Sequence, residues 1–245
     1  MEYEKRTAFI LAAGLGTRLK ELTFHKPKAL VSINNKPLLQ VTLEYLQKQK
    51  FNHFVINIHH FGEQIIDFVK ENFQDIDIEI SDERPLLMDT GGAILQALPL
   101  FRDSKAVLIH NVDIISDLNL KDIYDDFCKT DDAVWLLTQQ RDNKRKIVFD
   151  ENENFAGRLN IETGEYNGIK PLQDSYNRLS FSGLHIIKPS FFKDFEVKPC
   201  YVFDIYGEIA KKHAVKSHPV KPSYWFDLGT EQQLKNASEW FLSKK

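Results

Sequence analysis

Phe9-Ile10-Leu11-Ala12-Ala13-Gly14-Leu15-Gly16-Thr17-Arg18, followed closely by Lys26-Pro27-Lys28, joins an apolar run to a glycine turn and two spaced cations. The run from Thr7 to Ala12 reads as a buried strand with the turn at its carboxyl end. Glycines at 14 and 16 let backbone come within hydrogen-bonding distance of a phosphate, where a Cβ would stand in the way. Arg18 offers a planar fork suited to the β and γ phosphates, and Lys28 a compact charge suited to a reacting phosphoryl oxygen. Together they read as a triphosphate grip. Two other phosphate grammars fail here. A dinucleotide fingerprint wants a third small residue where Leu19 stands, and a Walker loop wants Gly-Lys-Ser/Thr, which is absent. A glycine pair that merely shapes a strand-to-helix turn is the plainer alternative.

Outward from this stretch, apolar periodicity alternates between the two regular structures. Pro37 to Gln47 predicts a helix with proline near its first turn, His53 to His59 a strand, and Gly62 to Phe73 a helix. Strands at 76–83, 106–110 and 133–140 are separated by helices at 91–98 and 120–129. Residues 146–160 then read as a hairpin, followed by strands at 180–187, 215–220 and 224–228 and helices at 201–213 and 230–242. The pattern predicts an α/β, Rossmann-like fold in which a mixed, mostly parallel sheet is flanked by helices. Asp113 follows the central strand and Asp227 a short apolar one. Both are therefore expected at one sheet edge, although each could instead be a loop or capping residue.

The 245 residues suit one domain, since no linker, low-complexity tract or hexapeptide repeat interrupts them and no β-helix domain is expected. Net charge is −3, from 32 basic and 35 acidic residues, which gives no field for nucleic acid or an anionic membrane. No apolar signal core or membrane-spanning run is present, so a cytoplasmic location is expected. Cys128 and Cys200 lack metal-ligand spacing and read as passive packing residues. No coiled-coil heptad announces an interface, and a homo-oligomer stays open.

Five ordered motifs carry a family resemblance. They are the run Leu11 to Leu39, Asp89-Thr90-Gly91-Gly92-Ala93, Asn111-Val112-Asp113, Phe181-Ser182-Gly183, and Trp225-Phe226-Asp227-Leu228-Gly229-Thr230. Over nearly the full chain they resemble the sugar-1-phosphate nucleotidyltransferases, the nucleotide-sugar pyrophosphorylases. Short N-acetylmuramate-1-phosphate uridylyltransferases and mannose-1-phosphate guanylyltransferase-like proteins are the most similar in length and ending.

The resemblance implies the nucleotide-diphospho-sugar transferase fold, with a nucleotide-binding half (1–140) and a sugar-binding half (141–245). It implies a nucleoside triphosphate (NTP) and a sugar-1-phosphate as partners and magnesium (Mg2+) as cofactor, held by Asp113 and Asp227. Arg18 and Lys28 become the catalytic cations. Ala13, Gly14, Gly16, Thr17 and Asn111 bind the nucleotide, with Gly91 and Gly92 on the base. Phe181, Ser182 and Gly183 line the sugar pocket.

The chain departs from the family pattern at Ala29, at Val112 and in a longer 85–89 segment. The basic cluster Arg141, Lys144, Arg145 and Lys146 reads as a solvated face, with a sugar-phosphate contact as the alternative. His59 and His60 are assigned no chemistry. Uridylyl transfer to N-acetylmuramate-1-phosphate leads, and guanylyl transfer to mannose- or heptose-1-phosphate is its rival. A non-catalytic nucleotide-sugar sensor and a dinucleotide-dependent dehydrogenase are the readings outside this chemistry.

Overall fold

The computed structural model describes residues 5–244. Apolar runs and helical patterns become β1 (Thr7–Leu11), β2 (Ser32–Ile33), β3 (Lys36–Pro37), α1 (Leu38–Lys48), β4 (His53–Ile58), α2 (Gly62–Asn72) and β5 (Asp77–Asp82). Then come α3 (Asp89–Ala97), β6 (Val107–Asn111), β7 (Ile114–Ser116), α4 (Leu120–Phe127), β8 (Val134–Gln139), β9 (Arg145–Phe149) and β10 (Phe155–Asn160). The chain closes with β11 (Tyr166–Gly168), β12 (Asn177–Ile187), α5 (Val202–Ala210), β13 (Val215–Pro219), β14 (Trp225–Asp227) and α6 (Glu231–Leu242).

Ten strands form one sheet in the order β11-β10-β9-β12-β6-β1-β4-β5, with β8 joined to β12 and β13 to β8. Strands β1, β4, β5 and β6 are mutually parallel, as βαβ crossovers require. Within this sheet β12 and β10 run against the rest. The sheet is therefore mixed and mostly parallel in direction, as the alternation predicts.

Alternate residues of the central strands feed two cores. Ala8, Ile10, Phe54, Ile56 and Leu108 pack with Leu38, Leu39, Leu43 and Leu46 of α1 and with Leu234 of α6. Phe9, Val55, Val107 and Ile109 face the other way, onto Ile94 of α3 and Val202, Ile205 and Tyr206 of α5. Each fully buried leucine or isoleucine contributes roughly 2 kcal/mol. This burial is what makes the carboxyl edge of β1 and β6 a rigid platform. Thr230 caps α6, its hydroxyl accepting from the Gln233 amide.

Boundaries shift in several elements: β12 begins at Asn177 rather than Ser180, and α5 ends at Ala210 rather than His213. Helix α3 opens at Asp89, not Gly91, so the two glycines lie inside its first turn. Both amides there donate to the Cys200 carbonyl, at 2.9 and 3.2 Å. A long-range acceptor on the segment leading into α5 thus fixes a helix start that local periodicity places later.

Candidate active site

Asp113 and Asp227, far apart in sequence, meet through strand pairing. The chain leaves β6 at Asn111 and turns through Val112 and Asp113 into β7, which pairs with β14 so that Asp227 stands opposite Ile114. The Leu228 amide also donates to the Asp113 carbonyl at 2.8 Å. Lys28 reaches the same corner, and its Nζ donates to Asp113 Oδ2; both side chains are largely shielded from solvent. Arg18 closes the group. A Cβ on Gly229 would lie 2.7 Å from an Arg18 guanidinium nitrogen and 2.9 Å from Asp227 Oδ1, so both side chains rest against that glycine.

Among the described residues no group of three or more His, Cys, Asp or Glu could hold a metal. Two aspartates on neighbouring backbone, beside two cations, suit a magnesium ion that completes its shell with phosphate oxygens and water, and they do not fit a protein-only cage.

Beside this corner lies a cavity of about 360 Å³, lined by Ala13, Gly14, Lys28, Asn111, Asp113 and their neighbours. The turn after β1 is held from beneath. Asn57 Oδ1 accepts from the Ala12 and Ala13 amides at 2.6 and 3.2 Å, and Asn57 Nδ2 donates to Glu83 Oε1 at 2.7 Å. Glu83 Oε2 accepts from the Met88 amide at 3.1 Å, tying the turn to the 85–89 segment. Burial pushes the Glu83 carboxyl above the usual range, against the lowering effect of the Asn57 and Met88 hydrogen bonds.

The amides of Gly14, Leu15 and Gly16 have no partner among the described residues. Among the described residues, a Cβ on Gly14 would touch no atom within 4 Å. Nothing among the described residues demands glycine there. Gly16, by contrast, has φ +66° and lies against Thr23 and Lys28. Thr17 is exposed, just past the turn.

Asn57 and Glu83 are the residues the sequence reading misses in this cavity. A buried asparagine inside the apolar run of β4 is the signal that could have found them. Gly91 and Gly92 stand apart from the cavity wall, where Leu87, Asp89 and Thr90 take the places expected of them. Their missing side chains instead admit the 198–201 backbone: a Cβ would lie 2.9 Å from the Cys200 carbonyl oxygen at Gly91, and 2.5 Å from that of Lys198 at Gly92. Ala29 and Val112 are both buried, and Val112 also lines the cavity. Behind Asn111, His110 is fully buried with Nδ1 on the Asn111 carbonyl; burial pulls its pKa down to about 4, opposed by that hydrogen bond and by Asp113.

Gly183 marks a bulge. At φ +82° it sits where the β12–β8 register shifts, and a Cβ there would lie 2.7 Å from Ile114 and 3.1 Å from Asn111 Nδ2. The bulge thus brings the Phe181-Ser182-Gly183 strand against the Asn111-Asp113 loop. Phe181 lines a second cavity of about 440 Å³ with Tyr201, Phe203, Arg145 and Arg158. Ser182 is buried, and its carbonyl accepts from the Trp225 indole at 3.0 Å.

The basic cluster does not form one solvated face. Lys144 is exposed and pairs with Glu162, whereas Lys146 is buried against Ser180 and Arg141 is half-buried.

The nucleotidyl transferase family matches residues 7–244. The chain is 30% identical over 190 residues to N-acetylmuramate alpha-1-phosphate uridylyltransferase of Neisseria meningitidis, covering 77% of this chain and 78% of that one. It is 38% identical over 113 residues to D-glycero-alpha-D-manno-heptose 1-phosphate guanylyltransferase of Campylobacter jejuni, covering 46% and 50%. With N-acetylmuramate alpha-1-phosphate uridylyltransferase of Caulobacter vibrioides it shares 36% over 122 residues, covering 47% and 48%. The chain spans about half the length of these last two relatives.

Among solved structures, HddC from Yersinia pseudotuberculosis, complexed with GMP-PN, superposes with a TM-score of 0.75 at 21% identity, covering 96% of this chain and 99% of that one. UDP-glucose pyrophosphorylase, complexed with UDP-glucose, superposes at 0.74 and 17% identity, covering 98% and 100%. These two show the shared fold. With the sequence match running from β1 through α6, the chain belongs to the nucleotidyl transferase family.

Proposed function

We propose that this protein transfers a nucleotidyl group from an NTP to a sugar-1-phosphate, releasing pyrophosphate and forming a nucleotide-sugar. The observation that carries this is the meeting of Lys28, Asp113 and Asp227, from three distant segments, beside unpartnered amides at Gly14–Gly16. Successive unpartnered amides at a turn are donors suited to phosphate oxygens. The attacking oxygen of a sugar phosphate is already anionic at neutral pH, so the site needs positioning and charge neutralisation more than a general base. Arg18 holds the departing pyrophosphate. Lys28, leaving Asp113 for the phosphate, stabilises the charge that develops at the reacting phosphoryl group. A magnesium ion bound by Asp113 and Asp227 would supply further charge neutralisation to the phosphates.

Residues 1–140 supply the nucleotide site in this reading, and residues 141–245 the sugar site. UTP with N-acetylmuramate-1-phosphate is the leading pair, supported by the uridylyltransferase from Neisseria meningitidis, which matches over most of both chains. GTP with a heptose- or mannose-1-phosphate is the alternative, supported by the guanylyltransferases among the relatives. Glu83, buried in the nucleotide cavity, supplies acceptors suited to a base N–H, which both uracil and guanine carry. Among the described residues no helix is long and apolar enough to cross a membrane. A cytoplasmic role in making cell-wall or polysaccharide precursors follows from the proposed substrates.

The test is a pyrophosphate-release matrix of the common triphosphates against a panel of sugar-1-phosphates, with magnesium. One pair turned over above all others supports the proposal. No release with any pair, from protein that binds nucleotide, would favour a nucleotide-sugar sensor instead.

A further inference from the structure

Arg141 is a cation to which the proposed roles give no task, yet its placement is unusually constrained. Its backbone carbonyl accepts from Lys146 Nζ and lies 3.1 Å from Ser180 Oγ. Its guanidinium lies over Trp225, with Cζ 3.7 Å from the ring centroid, and one Nη donates to the Phe181 carbonyl at 2.5 Å. Trp225 is itself fixed, by its indole bond to the Ser182 carbonyl. The arginine is thus clamped between the strand expected to line the sugar pocket and the strand that ends at Asp227.

This constraint is obtained without a counter-ion. Among the described residues no carboxylate lies within ion-pair distance of Arg141, and its buried Nε has no hydrogen-bond partner. Asp227 is the acid whose field reaches it; burial pulls the guanidinium pKa down and Asp227 pushes it up. A half-buried guanidinium held away from any paired carboxylate is costly, and an arriving anion offsets that cost. Its planar fork suits two oxygens of one phosphate, and stacking on an aromatic ring keeps the fork pre-oriented.

Charge bookkeeping identifies the anion. Arg18 and Lys28 approach the aspartates from the first half of the chain, where the triphosphate grip lies. The acceptor brings a second phosphate, and its repulsion from the triphosphate must be screened from the other side. We propose that Arg141 binds the phosphate of the incoming sugar-1-phosphate, with Trp225 as the residue that positions it. The inference rests on the nucleotidyl-transfer reading above.

Full-length wild type, Arg141→Gln and Arg141→Lys are compared for pyrophosphate release with the pair that wild type turns over. Arg141→Gln should raise the sugar-1-phosphate KM by about 30-fold or more, as loss of a charge-assisted fork implies, and leave the NTP KM within about 3-fold. Inorganic phosphate should compete with the sugar phosphate in wild type and lose that effect in the variant. Arg141→Lys should fall between the two. An unmoved sugar KM, equal rises in both KM values or retained phosphate inhibition would each overturn the assignment. Should Arg141→Gln melt far below wild type, the KM split in Arg141→Lys decides. If wild type releases no pyrophosphate with any pair, transfer itself fails. Calorimetric titration of the hexose-1-phosphates into wild type and variant then still judges Arg141, and equal affinity refutes it.

Discussion

Lys28 Nζ donates to Asp113 Oδ2 across the carboxyl edge of the sheet, and neither side chain is more than slightly exposed. The pair places a basic and an acidic side chain side by side on the wall of the cavity before any substrate arrives. In the proposed reaction each partner would exchange this resting contact for a phosphate or a metal ion.

Replacing Lys28 by alanine should therefore lower kcat by about 100-fold or more, the scale for removing one donor to developing charge, and raise the NTP KM only a few-fold. Steady-state pyrophosphate release measures both. Turnover equal to wild type would remove Lys28 from the transition state.

Asp113→Asn and Asp227→Asn bear on the metal. Each should shift the magnesium dependence of turnover to concentrations about tenfold higher or beyond, and EDTA should abolish wild-type activity. A magnesium titration curve that superposes on wild type would mean that these carboxylates hold no ion. Asp227→Asn is the cleaner variant, since Asp113→Asn also leaves Lys28 without its anion.

Gly14 and Gly16 should separate folding from binding. Gly14→Ala meets no atom of the described residues, so its melting temperature should stay within about 2 °C of wild type, since the stability effect is a few tenths of a kcal/mol. Triphosphate affinity should fall about tenfold as the methyl enters the phosphate path. Gly16→Ala, at φ +66° and against Thr23 and Lys28, should cost on the order of 1 kcal/mol of stability. Calorimetric melting and nucleotide titration distinguish the two; unchanged affinity in Gly14→Ala would count against a phosphate contact there.

Acid should destabilise the fold through its buried imidazoles. His110 is held near pKa 4 and His185 near 3, chiefly by burial, against about 6.5 for an unfolded histidine. A depressed folded pKa means that the unfolded chain takes up protons first. This stabilising contribution is complete above pH 6.5 and is lost progressively as pH falls towards 4. Proton NMR of the imidazole resonances checks this: neither histidine should titrate near 6.5, and a midpoint there for His110 would contradict its burial behind Asn111.

How far the sequence discloses this site depends on whether a signal is local. The alternation of strand and helix and the hairpin at 146–160 are visible because periodicity acts within a few positions. The short strands β7 and β14 are not separately predictable as partners, since each exists through the other. The same holds for α3, whose start is set by a carbonyl at Cys200, and for Asn57, whose role needs the amides of Ala12 and Ala13. Arg141 shows the limit most clearly. In sequence it belongs to a charged run, and only folding separates it from exposed Lys144 by laying it on Trp225.

The most direct measurement is a crystal structure with the nucleotide-sugar product and magnesium bound. The diphosphate should lie against Lys28 and Arg18, with the ion on Asp113 and Asp227 and the sugar directed towards Phe181. A diphosphate bound elsewhere, with those four side chains away from it, would contradict nucleotidyl transfer at this site.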